Sequence, residues 1–323
     1  MKVLYPTNVA GRPDVPADVT LVDYDPRAPI PAGHHDAEVL VSWGSTVELM
    51  RAAAGQLTGL RWVQSLAAGP DVELAAGFGE QVVITSGRTL HDDTVAEHAL
   101  ALVLAGVRGL RQLIGSQPEH RWRSDLGGVR VEGADGRVET LSGARVLIWG
   151  FGSIAAALAP HLTALGALVT GVARGGGERA GYPVIGTAEL PAALPETDVL
   201  VMILPHAPDT RAALNAEVLA LLPARAWVVN VGRGSTVDED ALVEALRAGR
   251  LGGAALDVFG TEPLPGDSPL WDAPNVIITP HAAGGRPREH ARLVAANLAA
   301  LRAGQPLRNV VRDERPLAGD LDD

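Results

Sequence analysis

Three segments of the sequence carry side chains whose chemistries complement one another. "VVNVGRGSTVDEDAL" (228–242) holds Arg233, "AALDVFGTEPLP" (254–265) holds Asp257 and Glu262, and "NVIITPHAAGG" (275–285) holds His281. Histidine gives and takes a proton near neutral pH, a carboxylate beside it raises its pKa, and arginine grips a carboxylate through paired hydrogen bonds. Arg233, Glu262 and His281 thus form a candidate acid–base set for a carboxylate-bearing ligand. Taken singly, each residue also has a structural reading: a histidine bonded to a carbonyl, an aspartate capping a turn, a glutamate exposed before proline, an arginine in a surface pair. Each segment, however, begins as a strand-like run and ends in a loop, and ligands of open parallel sheets bind beyond the carboxyl ends of the strands.

A fourth segment offers a place for phosphate. In "ARVLIWGFGSIAAALAPHLTALG" (144–166) an apolar, β-branched run meets Gly150-x-Gly152-x-x-Ala155, followed by helical spacing that closes on Gly166. Glycines on a strand-to-helix turn let backbone amides approach a pyrophosphate, although such turns also arise for steric reasons alone. In the next strand, "ALVTGVARGGG" (167–177), Ala173 stands where an acidic residue would receive the ribose hydroxyls of NAD. Arg174 follows, and a guanidinium suits a 2′-phosphate. NADP is therefore favoured, with NAD the alternative if Arg174 is an ordinary solvated arginine.

The elements that must position these residues form two α/β series. "KVLYP", "VTLVDY", "EVLVSW", "RWVQSL" and "QVVITS" read as strands, with the helical "VELMRAAAG" among them, and a long helix is expected over 92–114. A polar stretch over 117–143 suits an arm or hairpin. The rhythm restarts with "ARVLIWG", "ALVTGVA", "DVLVMIL", "AWVVNV", "GGAALDV" and "NVIIT", before a final helix over 286–303 and an acidic, frayed tail. This alternation implies parallel sheets.

Composition narrows the function classes. The 323 residues are 47% hydrophobic, enough for two cores, and the formal charge of −11 comes without basic runs, so neither nucleic acid nor an anionic membrane is an expected partner. Cysteine is absent, which excludes disulfides and thiolate metal sites, and no metal site is expected. "MKVLYPTNVAGRPD" reads as a first strand and not a secretory signal, and the setting expected is cytoplasmic.

In "GFGSIA", "NVGRGSTVDEDAL", "ALDVFGTEPLP" and "TPHAAG", in this order and at this spacing, the sequence resembles the D-isomer-specific 2-hydroxyacid dehydrogenases. "LRWVQSLAAGPD" and "HDDTVAEHALALVL" look like that family's substrate loop and interdomain helix, and the missing acid at Ala173 resembles its glyoxylate and hydroxypyruvate reductase branch. The departures are Ala155 in the third glycine place and "RGGG" where NADP-using relatives often continue with a hydroxyl or a second basic residue.

The resemblance implies an α/β protein of two Rossmann-like or flavodoxin-like domains with parallel sheets and an interdomain active-site cleft. Residues 1–91 and 281–323 would form the substrate domain and 92–280 the NAD(P)-binding domain. It implies Arg233, Glu262 and His281 as the catalytic set, with Arg233 and His281 on the substrate together with the amides of Ala68 and Gly69. For the cofactor it implies Thr94, Gly150, Phe151, Gly152, Ser153, Ile154, Arg174 and Pro205, with Asp257 on the nicotinamide amide. Trp43, Trp122 and Arg286 are further candidates for the substrate pocket. The activity implied is hydride transfer between NAD(P)H and a small 2-oxo acid, giving the D-2-hydroxy acid, in a homodimer. Two other readings fit the same resemblance: a nucleotide-sensing regulator like the family's corepressors, and a phosphoglycerate dehydrogenase.

Overall fold

The computed structural model describes residues 1–126 and 138–312. The chain separates into two compact units, Met1–His91 with Arg286–Asp323, and Asp92–Gly285. The segment 281–285, expected from the sequence in the first unit, lies in the second. Its backbone is tied to Asp257 by hydrogen bonds from the amides of His281, Ala282 and Ala283, which accounts for its place.

In chain order the first unit has β1 (Lys2–Pro6), β2 (Thr20–Tyr24), β3 (Val39–Ser42), α1 (Val47–Gln56), β4 (Trp62–Ser65), α2 (Asp71–Ala75) and β5 (Val83–Thr85). The second unit runs through α3 (Asp92–Val107), α4 (Leu110–Gly115), β6 (Arg145–Trp149), α5 (Ser153–Ala164), β7 (Leu168–Ala173), β8 (Gly177–Arg179), β9 (Tyr182–Gly186) and α6 (Leu190–Ala193). It continues with β10 (Val199–Met202), α7 (Ala216–Leu219), β11 (Trp227–Asn230), α8 (Glu239–Arg247), β12 (Gly253–Leu256) and β13 (Val276–Ile278), and the chain then returns to the first unit as α9 (His290–Arg302) and β14 (Val310–Arg312).

Both sheets are parallel but for one edge strand each. The first has the order β14-β5-β4-β3-β1-β2, with β14 antiparallel to β5. The second has the order β13-β12-β11-β10-β6-β7-β9-β8, with β8 antiparallel to β9. The central strands β3, β4, β10, β11 and β12 are buried along their whole length, as strands covered on both faces must be, and β10 and β12 accordingly carry no polar side chain. This is the two-unit α/β class expected from the sequence.

Packing in the second unit depends on one indole. Trp227, at the start of β11, occupies a slot bounded by Gly106 of α3 and Gly253 of β12, where an added Cβ would come within 2.5 and 2.4 Å of its ring. Helix, strand and neighbouring strand therefore share one tightly filled volume.

Three sequence expectations need correction. The helix expected over 92–114 breaks after Val107, because Gly109 adopts φ +62, a left-handed conformation that ends one helix and caps the next. The last helix begins at His290 and not at 286, since Pro287 disfavours helical backbone at Arg286 and Glu289 is left-handed at φ +56. The tail expected to fray from 311 starts as a strand, with Val310–Arg312 pairing to β5; residues 313–323 lie outside the described residues, as do 127–137 of the expected arm.

Candidate active site

The glycine turn lies between β6 and α5. Gly150 has φ +103, and a Cβ there would come within 2.5 Å of the Ile203 carbonyl oxygen, so the position requires glycine. The amides of Gly150 and Phe151 both donate to the Val172 carbonyl at 3.0 and 3.1 Å, fastening the turn to β7. Gly152 is the N-cap of α5 with no side-chain cap, and a Cβ on it would meet nothing within 4 Å. The α5 N-terminus is thus without a side-chain cap and open at Gly152, a place where an anion can approach a helix N-terminus. Ser153 donates to the Asp92 carboxylate at 3.0 Å, and Ala155 is fully buried, so the third-glycine position holds a methyl without displacing the helix. Ile154 is half-buried on the first turn of α5.

Ala173 ends β7, and no acid stands beside the turn at that position. Arg174 is 83% exposed and bonds Asp209 at 3.1 Å. A second arginine, which the sequence reading did not single out, reaches the same place: Arg179 on β8 donates to the Phe151 carbonyl at 3.3 Å and to the Gly175 carbonyl at 3.1 Å. The β8–β9 hairpin brings it there, turning through Ala180 and Gly181 at φ +51 and +81. Two consecutive positive φ angles are the hairpin's own geometry, so "RAGY" was the available sequence signal. Pro205 accepts a hydrogen bond from Thr210 through its carbonyl at 2.6 Å, and the Thr94 hydroxyl donates to the Gly284 carbonyl at 2.8 Å.

The acid–base set is assembled at the carboxyl ends of β11, β12 and β13. After β11 the Arg233 carbonyl accepts from Asn230 Nδ2 at 3.1 Å and Thr236 Oγ1 at 2.6 Å, and both of these side chains are fully buried. Gly234 lies flat against Phe259, where a Cβ would fall 1.8 Å from the carbonyl carbon, so the loop carrying Arg233 and the loop carrying Glu262 are in direct backbone contact. Asn230, Thr236 and Gly234 were missed by the sequence reading because each acts through the backbone of a neighbour.

Asp257 builds the turn that presents the histidine. Its buried carboxylate accepts from Thr279 Oγ1 at 2.6 Å, the Ala282 amide at 2.8 Å and the Ala283 amide at 3.0 Å, while its carbonyl accepts from the His281 amide at 2.8 Å. His98 of α3 joins the cluster, 3.0 Å from Thr279 Oγ1 and 3.3 Å from Asp257. His281 is held at φ +50, a conformation uncommon outside glycine, which these bonds sustain.

His281 Nδ1 lies 2.6 Å from Glu262 Oε2, and Glu262 Oε1 accepts from the Phe259 amide at 2.9 Å. The Glu262 hydrogen bond and charge hold the imidazole above the usual histidine range, against burial and the Arg233 charge. Burial pushes the Glu262 carboxyl up, but the His281 and Phe259 hydrogen bonds and the charges of His281 and Arg233 together bring it below the usual carboxylate range. The pair therefore favours imidazolium facing carboxylate, with the Arg233 cation close enough to affect both.

The other predicted residues belong to the first unit or lie apart. Ala68 and Gly69 follow β4 in a loop whose carbonyls are turned inward: Leu66 O is 2.8 Å from His91 Nε2, and Ala67 O accepts from the Gly87 amide at 2.6 Å. Trp43 stacks on His91 at 5.3 Å. Arg286 is exposed, and Trp122 is 94% exposed.

The glycine turn and the histidine–carboxylate pair both lie beyond the carboxyl ends of strands of one largely parallel sheet, where ligands of open α/β sheets bind. Residues 100–283 match the NAD-binding domain of the D-isomer specific 2-hydroxyacid dehydrogenases, and the chain belongs to that family. It is 44% identical over 131 residues to glyoxylate/hydroxypyruvate reductase A of Klebsiella pneumoniae, an alignment spanning 40% of this chain and 42% of that protein. Among solved structures, an NADPH-dependent glyoxylate/hydroxypyruvate reductase of Sinorhizobium meliloti in complex with NADP and sulfate is similar with a TM-score of 0.77 at 29% identity, over 97% of this chain and 98% of that one. A D-isomer specific 2-hydroxyacid dehydrogenase of Xanthobacter autotrophicus in complex with NADPH and MES is similar with a TM-score of 0.75 at 31% identity, over 96% and 98%.

Proposed function

We propose that this protein reduces a small 2-oxo acid to the D-2-hydroxy acid with NADPH as the preferred cofactor, glyoxylate and hydroxypyruvate being the leading substrates. The observation that carries this is the 2.6 Å His281–Glu262 pair in the field of Arg233. The named relatives, reductases of those two acids, support the substrate class, and the complexes with NADP and NADPH support the cofactor.

The chain's own residues fit a dinucleotide: the uncapped α5 N-terminus and open Gly152 for pyrophosphate, Ala173 without repelling charge, and Arg174 and Arg179 for a 2′-phosphate. Thr94, Phe151, Ser153, Ile154 and Pro205 are proposed to border it, and Asp257 to fix the loop beside it. Bound NADPH supplies the hydride. Arg233 holds the substrate carboxylate bidentately, and the amides of Ala68 and Gly69 are proposed donors to it. With Nδ1 on Glu262, His281 gives its Nε2 proton to the carbonyl oxygen as that oxygen gains charge, and Glu262 stabilises the imidazolium beforehand. In the reverse direction neutral imidazole takes the proton back.

The first unit is proposed as the substrate domain and the second as the cofactor domain. A homodimer in the cytoplasm is proposed from the family resemblance; among the described residues no helix is long and apolar enough to cross a membrane, and no three metal-ligating side chains cluster. A phosphorylated substrate is disfavoured because "VSWGST", "SLAAGPD" and "TPHAAGG" contribute no lysine or arginine, leaving Arg286 alone. Oxidation of NADPH and NADH, followed by absorbance against glyoxylate, hydroxypyruvate, phenylpyruvate and 3-phosphohydroxypyruvate, tests the reading. The highest kcat/KM is expected for glyoxylate or hydroxypyruvate with NADPH. A phosphorylated best substrate would restore the phosphoglycerate reading, and no turnover of any acid would favour a regulator.

A further inference from the structure

One face of α3 grips the segment that carries His281 at both of its ends. Thr94 and His98 stand one helical turn apart, so their side chains share a face. The Thr94 hydroxyl donates to the Gly284 carbonyl at 2.8 Å, while His98 Nε2 lies 3.0 Å from Thr279 Oγ1 and 3.3 Å from Asp257 Oδ1. The helix that makes both contacts is itself seated in the core: Val95, Ala96, Ala99, Leu102 and Val103 are buried in the cluster that also takes Ala283. At its first turn the Asp92 carboxylate accepts from Ser153, the first residue of α5.

The direction of the His98 bond follows from the donors available. Thr279 has a single hydroxyl proton, and at 2.6 Å from the Asp257 carboxylate that proton is committed there. Thr279 Oγ1 therefore accepts, and His98 Nε2 carries the hydrogen. The bond fixes the hydroxyl in the orientation that faces Asp257, whose carboxylate also receives the Ala282 and Ala283 amides at 2.8 and 3.0 Å. Between these anchors His281 is held at φ +50, with its amide on the Asp257 carbonyl at 2.8 Å. Left-handed backbone costs free energy in any residue with a Cβ, so the turn persists only while the bonds around it offset that cost. His98 and Thr94 are the members of this set that come from a helix, and they tie the turn to an element that the core holds still.

We infer that His98 is a positioning residue for the proposed reduction: through Thr279 and Asp257 it fixes the turn that presents His281 Nδ1 to Glu262. The inference rests on the proposed function for its reaction, but the turn itself can be measured in the unliganded protein. Glutamine keeps a donor where the imidazole has Nε2; leucine keeps much of the volume and removes the donor. Glu262, Arg233 and Asp257 are the charged groups facing His281, and His98 faces Asp257. A loosened turn takes His281 away from Glu262, whose hydrogen bond is the largest cause of its raised pKa, so its titration midpoint must fall.

In the full-length protein, His98→Leu is expected to lower kcat for glyoxylate about fivefold near neutral pH, the effect of losing one hydrogen bond, while the KM for NADPH stays within about twofold. His98→Gln is expected to stay near wild type. In hydrogen–deuterium exchange, the peptide covering 279–285 should exchange faster in His98→Leu than in wild type or His98→Gln. In an imidazole titration followed by NMR, the His281 midpoint should fall in His98→Leu and not in His98→Gln; a loss of stability alone would lower the melting temperature and leave that midpoint in place. Should His98→Leu not fold, Thr279→Val removes the same link and is expected to act in the same direction. An unmoved His281 midpoint, equal kcat values for the leucine and glutamine variants, or unchanged exchange over 279–285 in His98→Leu and Thr279→Val, would overturn the inference. If wild type reduces no 2-oxo acid, the proposed function fails, and the midpoint and the exchange contrast decide whether His98 holds the turn.

Discussion

Arg179 and Arg174 make unequal claims on the 2′-phosphate of NADPH, and the difference can be worked out from their surroundings. Arg174 is 83% exposed and already bonded to Asp209, so any new partner must compete with a carboxylate and with water. Exposed ion pairs contribute about 0–1 kcal/mol, so Arg174→Gln should lower kcat/KM for NADPH by about fivefold at most. Arg179 donates only to the neutral carbonyls of Phe151 and Gly175, and no carboxylate neutralises it among the described residues. Arg179 is itself exposed, which holds a hydrogen bond to a charged group near the low end of its range, about 1.5 kcal/mol, so Arg179→Gln should cost roughly 10-fold in kcat/KM for NADPH. NADH lacks the phosphate, and its kcat/KM should change little in either variant. Initial rates at saturating 2-oxo acid, with each cofactor varied for wild type and both variants, give the six values needed. A larger NADPH loss for Arg174→Gln than for Arg179→Gln would refute the assignment of the hairpin arginine as the stronger discriminator. A wild type that uses NADH as well as NADPH would refute the cofactor preference itself.

His281→Ala is expected to reduce turnover nearly to background while NADPH binding, read by fluorescence titration, stays close to wild type, because its proposed work is proton transfer. Reduction needs imidazolium, so its rate should hold below the raised His281 pKa and fall as pH rises through it. Glu262→Gln removes the largest cause of that raise and should move this limb of the pH–rate profile toward acid; an unmoved limb would separate the two residues. Light scattering at micromolar concentration is expected to give twice the chain mass, and a monomer would remove the proposed dimer.

The sequence made the strands and the acid–base set readable because both depend on side-chain type at a fixed place. Apolar runs fully buried in β6, β10, β11 and β12 carry their own signature, and so do a histidine and a glutamate whose own side chains must meet. What escaped notice acts through the backbone or through distant chain. Arg179 gains its position only once a hairpin turns back on the glycine turn, and Asn230 and Thr236 matter because they hold the Arg233 carbonyl. The helix break at Gly109 was hidden by apolar spacing that continues across it, and the late start of α9 follows from Pro287 and a left-handed Glu289 that periodicity cannot register. His98 sits on the expected helix, yet its bond to Thr279 joins residues far apart in the chain.

The slot that Gly106 and Gly253 leave for Trp227 makes these three positions a single evolutionary character. A scan of one residue at a time would record both glycines as intolerant, since a lone methyl drives into the indole. A scan of pairs would record something else. Exchanging Trp227 for a smaller apolar residue opens the volume that alanine at 106 requires, and alanine in a helix interior is favoured over glycine by about 1 kcal/mol. Descendants of this sequence are therefore free to drift at 106 only along paths that first, or at the same time, trim the indole. In alignments, the trace of that history would be correlated variation among 106, 227 and 253, carried by volume alone and independent of cofactor or substrate.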